Sequence, residues 1–396
     1  MPEDLFRIQR NCLRLMGHQD ISDNNELPPR AEQKSRHSLC TRQCQIMKHA
    51  LLLLFMISAQ WPMMDYIIYH IDDLPLATAC LSILFTNVLT VIKTSTFLAY
   101  KHEFNQLMSE FEMMYDELHE ANAKRLLVAA NVGAKRFVKL YFYSVSCTGV
   151  YFTINPLVGM IWDKLQGKPL LLELPMPMRF RFDFESTPGY QLAYAYTILI
   201  TIVVVIHATS VDGLFVSFTT NLRGHFQALQ HFIETNTFDK SDALLQQELR
   251  AYVQYHVRLL SLAKSVQRIF KPIIFGQFLM TSLEVCVIIY QLVTHIGVFM
   301  EMVVYCTFLS SILMQLLIYC YGAEFLKIES SAVGTAVQMS QWYNLPPRHR
   351  HVLRLILLRS QREIIIRAGF YEASLANFMS ILKAAMSYIT FIQSIE

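Results

Sequence analysis

Charge is scarce in this sequence. Asp, Glu, Lys and Arg make up 16% of its 396 residues and hydrophobic types 53%, a balance that excludes a disordered or strongly solvated chain. Mean hydropathy is +0.31, which points to a membrane protein. Charge of one sign is also lacking. A formal net charge of +3, with no Lys/Arg run interleaved with aromatics, argues against nucleic acid as a partner. No Asn-X-Ser/Thr sequon occurs, so glycosylation carries no topological signal. Gly-X-Ser-X-Gly, His-Glu-X-X-His, P-loop and dinucleotide fingerprints are absent, which disfavours an enzyme and implies no cofactor. The eight cysteines lie in apolar runs or in the polar N-terminal segment, not in a predicted outer loop, which argues against an extracellular disulfide framework. Cys40-X3-Cys44 with His37 and His49 fits no usual closed zinc site, so no metal is expected. The first 44 residues hold Arg7, Arg10, Arg14, Asp20, Asp23 and Glu26 but no long apolar core. That excludes a cleavable signal peptide and makes 1–45 a cytosolic N-terminal segment.

Long apolar runs are what the sequence has in quantity. A bilayer core of roughly 30 Å needs about 20 apolar residues per helix. Seven spans meet or approach this: 46–67, 74–92, 140–162, 188–211, 272–294, 298–323 and 370–395. The second, third and fourth contain no Asp, Glu, Lys or Arg. Lys and Arg are retained on the cytoplasmic side. The segment through residue 48 and the connections 93–139, 223–271 and 327–367 hold 8, 7, 7 and 7 of the 34, whereas 68–73, 163–187 and 295–297 together hold 4. The expected fold is therefore an all-α membrane protein of seven transmembrane helices, N-terminus cytosolic and C-terminus extracellular. Residues 46–396 form the seven-helix membrane unit. Trp61 and Trp162 fall at outer span ends, as an interfacial belt requires.

The fourth run has no proline from Tyr190 onward, and its helical pattern continues to about residue 234. Some 45 residues at 1.5 Å each reach about 67 Å, twice the bilayer core, so this helix projects into the cytosol. Residues 212–271 and 324–369 are read as cytosolic helical extensions that pack into an anchor bundle beneath the membrane. Glu284 and Glu301 are intramembrane or interfacial carboxylates, which cost energy in hydrocarbon and so need a polar surrounding. Asp212 fits a structural salt bridge or helix contact. Arg348-His-Arg-His351 fits a solvated or lipid-facing cytosolic patch, since its two arginines repel a cation.

Span three concentrates Ser144, Ser146, Cys147, Thr148, Gly149 and Thr153. Close helix packing accounts for such small residues, and so does a cavity wall. For the cavity, Ser146, Gly149 and Thr153 share a face at i, i+3, i+7, opposite Tyr194, Ile198 and Thr201 of span four. These six are the candidate ligand-binding residues. Apolar walls with a few hydroxyls suit a small, neutral, volatile organic molecule.

The segments PMPMRFRFD (175–183), TSVDGLFVSFTTNLRGHFQAL (209–229), QWYNLPPRHRHVLRLILLRSQREIIIRAG (341–369) and SLANFMSILKAAMSY (374–388) carry a resemblance. In order and spacing the chain resembles the insect odorant receptors, over most of its length and most strongly in its last 60 residues. The resemblance implies an odour-tuning subunit of a ligand-gated, non-selective cation channel, a heterotetramer with the odorant co-receptor in the plasma membrane of the sensory dendrite. The last helix of each subunit would line the pore. The related gustatory receptors and the co-receptor carry Thr/Ser-Tyr, five apolar residues, then Gln near the C-terminus. Ser387-Tyr388 begins this pattern here, but Ser394 stands where Gln is usual and Gln393 is displaced by one. That departure favours a tuning subunit. The same alignment puts Phe391, Ser394 and Ile395 on the pore or gate, with Lys383 two turns deeper in a structural role. A gustatory-type subunit differs only in ligand and partner; a transporter would show inverted repeats, and none is evident.

The charge bias makes a direct prediction. An epitope placed after Glu396 stains on intact cells, and one at the N-terminus stains only after permeabilisation; the reverse pattern would reject the orientation.

Overall fold

The computed structural model describes residues 6, 9–11, 14, 47–167, 172–182 and 188–395, with backbone alone for 389 and 391–395. Nine long α-helices, a 3-10 turn (Trp342–Asn344) and one short hairpin order most of these residues. The helices are α1 (Met47–Tyr69, broken at Ala59), α2 (Leu74–Ala99), α3 (Lys101–Glu117), α4 (Ala121–Leu165), α5 (Gly189–Thr235), α6 (Asp242–Thr294), α7 (Phe299–Met339), α8 (Arg350–Ser360) and α9 (Leu375–Ile395). Six of them, α1, α2 and α4–α7, are long and apolar enough to cross a membrane, and α9 adds 21 residues. Between α8 and α9, β1 (Arg367–Ala368) pairs antiparallel with β2 (Tyr371–Glu372) around Gly369, whose φ of +64° suits glycine.

The projecting helices are observed. α5 runs unbroken for 47 residues and α6 for 53, the latter with Pro272 inside it. α4 is longer than its apolar stretch alone suggests, because residues 121–139 are already helical beneath the membrane. α3 is likewise helical within the charged connection 93–139. It buries Phe104, Leu107, Met108, Phe111 and Met114, an i, i+3, i+4, i+7 stripe, while charged residues cover the other face. Phe104 meets Phe97 and Phe270 at ring distances of 5.1 and 5.3 Å, and Phe111 stacks on Phe218 at 5.7 Å. From the N-terminal segment, Phe6 packs on Phe218, and the Gln9 amide donates to the Gly213 carbonyl (3.2 Å) and the Ser217 hydroxyl (2.7 Å).

Ion pairs tie the rim of this bundle. Arg258 donates to Glu110 and Glu117 at 2.6 Å each, joining α6 to α3, and Glu329 accepts from Arg223, Gln227 and Gln230, joining α7 to α5. Where α5 and α7 cross, a Cβ on Gly322 would lie 2.8 Å from the Thr219 hydroxyl, so only glycine permits this approach. Arg348 and His349 converge on Asp242 at the start of α6, while Arg348, Arg350 and His351 stay exposed, as a solvated patch requires.

At mid-molecule lies a charge cluster that the span boundaries conceal. α2 does not stop at Ile92. It runs on through Lys93, which is fully buried and donates to both carboxylate oxygens of Asp212 on α5, at 2.7 and 2.9 Å. Lys93 therefore belongs to the helix interior, not to the cytosolic connection, because Asp212 neutralises it there. The same carboxylate accepts from Tyr141 of α4 (2.6 Å), Gln315 of α7 (2.9 Å) and Tyr319 of α7. Gln277 of α6 donates in turn to Gln315 (3.0 Å). Four helices meet at one carboxylate, and α6 joins them through Gln315.

Removing one member of a buried, hydrogen-bonded pair costs about 3–5 kcal/mol, since the other charge stays buried alone. Asp212→Ala or Lys93→Met is therefore expected to remove most of the folded receptor from a detergent-solubilised thermal melt. The double variant should recover part of that loss only, because Tyr141, Tyr319 and Gln315 are left as buried donors without their acceptor. Full stability of either single variant would contradict the role given to the pair.

Candidate ligand-binding site

Directly above Asp212, four helices enclose a cavity of about 100 Å³. α4 contributes Tyr141, Val145, Thr148, Gly149 and Phe152, a face at i, i+4, i+7, i+8 and i+11 that covers about 16 Å of helix. α5 contributes Thr201, Val204, Val205 and Ala208, α7 contributes Phe308, Ser311, Ile312 and Gln315, and α2 contributes Ile83, Thr86 and Asn87. Met176, from the connection between α4 and α5, reaches the cavity from the opposite end. Its side chain is buried against Met178 and the α1–α2 contact.

The polar groups in this wall are placed by their own partners. Tyr141 and Gln315 are held by Asp212, so their donors point away from the cavity. Thr86 donates to the fully buried Glu284 at 2.9 Å, and the second carboxylate oxygen of Glu284 has no hydrogen-bond partner among the described residues. Thr148 and Ser311 form a hydroxyl pair at 2.7 Å across α4 and α7. Thr201 bonds back to the Thr197 carbonyl at 2.9 Å and turns its methyl toward Gly149. What the cavity presents is therefore mainly aliphatic and aromatic surface, with the Thr148–Ser311 hydroxyls and the Asn87 side chain as its polar elements. Such a wall selects a small neutral molecule and penalises a charged one, which would lose its hydration without a partner. An engineered cavity of about 150 Å³ accommodates benzene. A larger ligand must displace side chains of this wall.

A family model described as 7tm Odorant receptor matches residues 73–386. Odorant receptor 82a of Drosophila melanogaster is 44% identical over 401 residues, spanning 99% of each chain. The chain belongs to the odorant receptor family. Odorant receptor 47a of the same fly is 26% identical, again over 99% of both chains. The fold also matches the solved insect olfactory receptor OR5 from Machilis hrabei in complex with eugenol, with a TM-score of 0.78, 15% identity and coverage of 99% and 98%. The receptor is thus a multi-pass membrane protein whose relatives are receptors and not enzymes.

Of the six residues singled out from spacing, Gly149 and Thr201 line the cavity. Ser146, Thr153, Tyr194 and Ile198 are not among its lining residues. Thr153 bonds back to Gly149 and Val150, and the Tyr194 hydroxyl donates to the Thr153 carbonyl at 2.5 Å, so this group forms an α4–α5 contact nearer the outer surface. The walls from α2 and α7 carry no mark in sequence that distinguishes them from packing; the one signal is the i, i+3, i+4, i+7 recurrence of Phe308, Ser311, Ile312 and Gln315. Glu301 pairs with His295 at 2.9 Å between α6 and α7. Lys383 is exposed on the α9 face that carries Met379 and Met386, while Leu375, Phe378 and Ile381 pack inward. The side chains of Phe391, Ser394 and Ile395 lie outside the described residues, as do His37, Cys40 and Cys44 and most of 1–45.

Gly149 tests the cavity. A Cβ there would stand 3.2 Å from methyl groups of both Thr201 and Val205. Gly149→Leu is expected to shift the odorant response spectrum by 10- to 200-fold in relative potency, about 1–3 kcal/mol, at unchanged surface expression. An identical spectrum would place the ligand elsewhere.

Proposed function

We propose that the receptor is the odour-tuning subunit of a ligand-gated, non-selective cation channel, assembled as a heterotetramer with the odorant co-receptor. Its ligand is a small volatile organic molecule bound in the cavity above Asp212. The observation that carries this reading is the double use of Tyr141 and Gln315: both line the cavity, and both donate to the carboxylate that joins four helices. A ligand that displaces either side chain perturbs α7, which packs against α9. A receptor of the same fold was solved with eugenol, and a compact organic molecule is what apolar walls with one hydroxyl pair suit.

α9 supports the channel reading. Its inward side is packed, but its other face carries Lys383 between Met379 and Met386. A lysine in mid-span is costly against lipid, so that face belongs against another subunit or a hydrated passage. Phe391, Ser394 and Ile395, farther along the helix, take the gate in this proposal, closing the pore by dewetting. The subunit orients N-terminus inside, with 1–45 and the extensions 212–271 and 324–369 in the cytosol of the sensory dendrite.

Whole-cell recording separates the alternatives. Cells expressing the receptor with the co-receptor should show odorant-evoked current carried by both sodium and potassium, and cells expressing the receptor alone should show none. Equal current without the co-receptor would make the receptor self-sufficient. Substrate uptake without current would make it a transporter.

A further inference from the structure

Below the start of the membrane-crossing part of α6 lies a second cleft, of about 420 Å³, that odorant binding does not use. Lys264, Gln267, Arg268 and Lys271 line one wall, at i, i+3, i+4 and i+7 on one helix face; Arg367 and Gly369 of the hairpin line the other. A neighbouring trough shares Lys264, Gln267 and Arg367 and adds Arg359. Three carboxylates stand around these cations. Glu103 is engaged by Arg268 (2.9 Å), Glu372 by Arg367 (3.2 Å) and Glu363 by Lys327 (3.5 Å). Lys264 and Lys271 have no carboxylate partner among the described residues, and both are exposed. The cleft thus keeps an uncompensated positive charge.

Its lip is apolar. Phe370, at the hairpin turn, is 79% exposed, and its ring lies 5.9 Å from that of Phe275, one turn into the crossing part of α6. Aromatic rings belong at this level of a bilayer, where headgroups meet acyl chains. A soluble anion would satisfy the lysines but gives no reason for an exposed phenylalanine beside them. A phospholipid satisfies both.

We propose that this cleft holds the phosphate-bearing headgroup of an anionic phospholipid of the cytoplasmic leaflet, with its acyl chains against Phe370 and Phe275. Lys and Arg clusters immediately cytoplasmic of a crossing helix recognise such headgroups by charge-assisted hydrogen bonds. The inference rests on the inward orientation of this end, not on the odorant cavity. Because Leu375 opens α9 eight residues after Arg367, lipid in the cleft steadies the hairpin from which α9 starts.

Full-length receptor in detergent, titrated in native mass spectrometry with a short-chain phosphatidylinositol bisphosphate, tests the site. Phosphatidylcholine, inositol trisphosphate and inorganic phosphate serve as comparison ligands. The wild type should bind the bisphosphate lipid in preference to phosphatidylcholine. Lys264→Gln with Lys271→Gln should weaken binding about thirty-fold, and Lys264→Arg with Lys271→Arg should retain it. Phe370→Ser, which leaves every charge in place, should weaken the lipid and not inositol trisphosphate. Undiminished lipid affinity in the glutamine pair would overturn the site. Inositol trisphosphate or inorganic phosphate binding as tightly as the lipid would overturn the lipid as its occupant.

Discussion

The receptor is organised around one buried carboxylate. Asp212 takes both oxygens to Lys93 and still accepts from Tyr141, Gln315 and Tyr319, so α2, α4, α5 and α7 are held at fixed rotation and, through Gln277, so is α6. In hydrocarbon the apolar faces of helices gain little from meeting one another, since lipid is as apolar as leucine. Packing alone leaves rotation poorly specified. A charge pair that cannot be left unpaired specifies it, because turning any of the helices by one residue strands a donor or an acceptor in a medium without water.

The cavity proposed for the odorant lies beside that cluster. Four helices that bring polar residues to Asp212 leave a space lined by Gly149, Thr201 and the Thr148–Ser311 pair. The cavity and the structural hub share Tyr141 and Gln315. In the proposed function, occupancy of the cavity would act on the Asp212 cluster without a long relay. The exit is α7, which carries two of the Asp212 donors and packs on α9.

Beneath the membrane the physics changes. Water is present, and the bundle of α3, the cytosolic half of α4 and the extensions of α5, α6 and α7 is held by an aromatic core with ion pairs at its rim. The basic cleft lies where the two regimes meet. Its lysines face headgroups and its phenylalanines face acyl chains, at the place where the chain turns back to enter α9.

Several features were legible from residues alone, because each depends on composition summed along one helix. Seven apolar spans, the projection of α5 and α6 and the small-residue face containing Gly149 are of this kind. Sequence-level reading missed α3, whose charged face lowers its mean hydropathy although Phe104, Leu107, Phe111 and Met114 form an apolar stripe. It ended the second span at Lys93, since a lone lysine reads as a boundary until its partner, 119 positions away, is brought beside it. How the cavity's walls turn toward one another was not legible for a similar reason. Gly149 and Thr201 meet across it, but Ser146, Thr153, Tyr194 and Ile198 stand outside its lining, because helical spacing names a face and not its rotation toward a neighbour. Apolar length and charge asymmetry, which are additive along the chain, determined the membrane architecture by themselves. Only tertiary structure decided which polar residues meet, because the energy of a buried donor depends on a single acceptor contributed by a different helix.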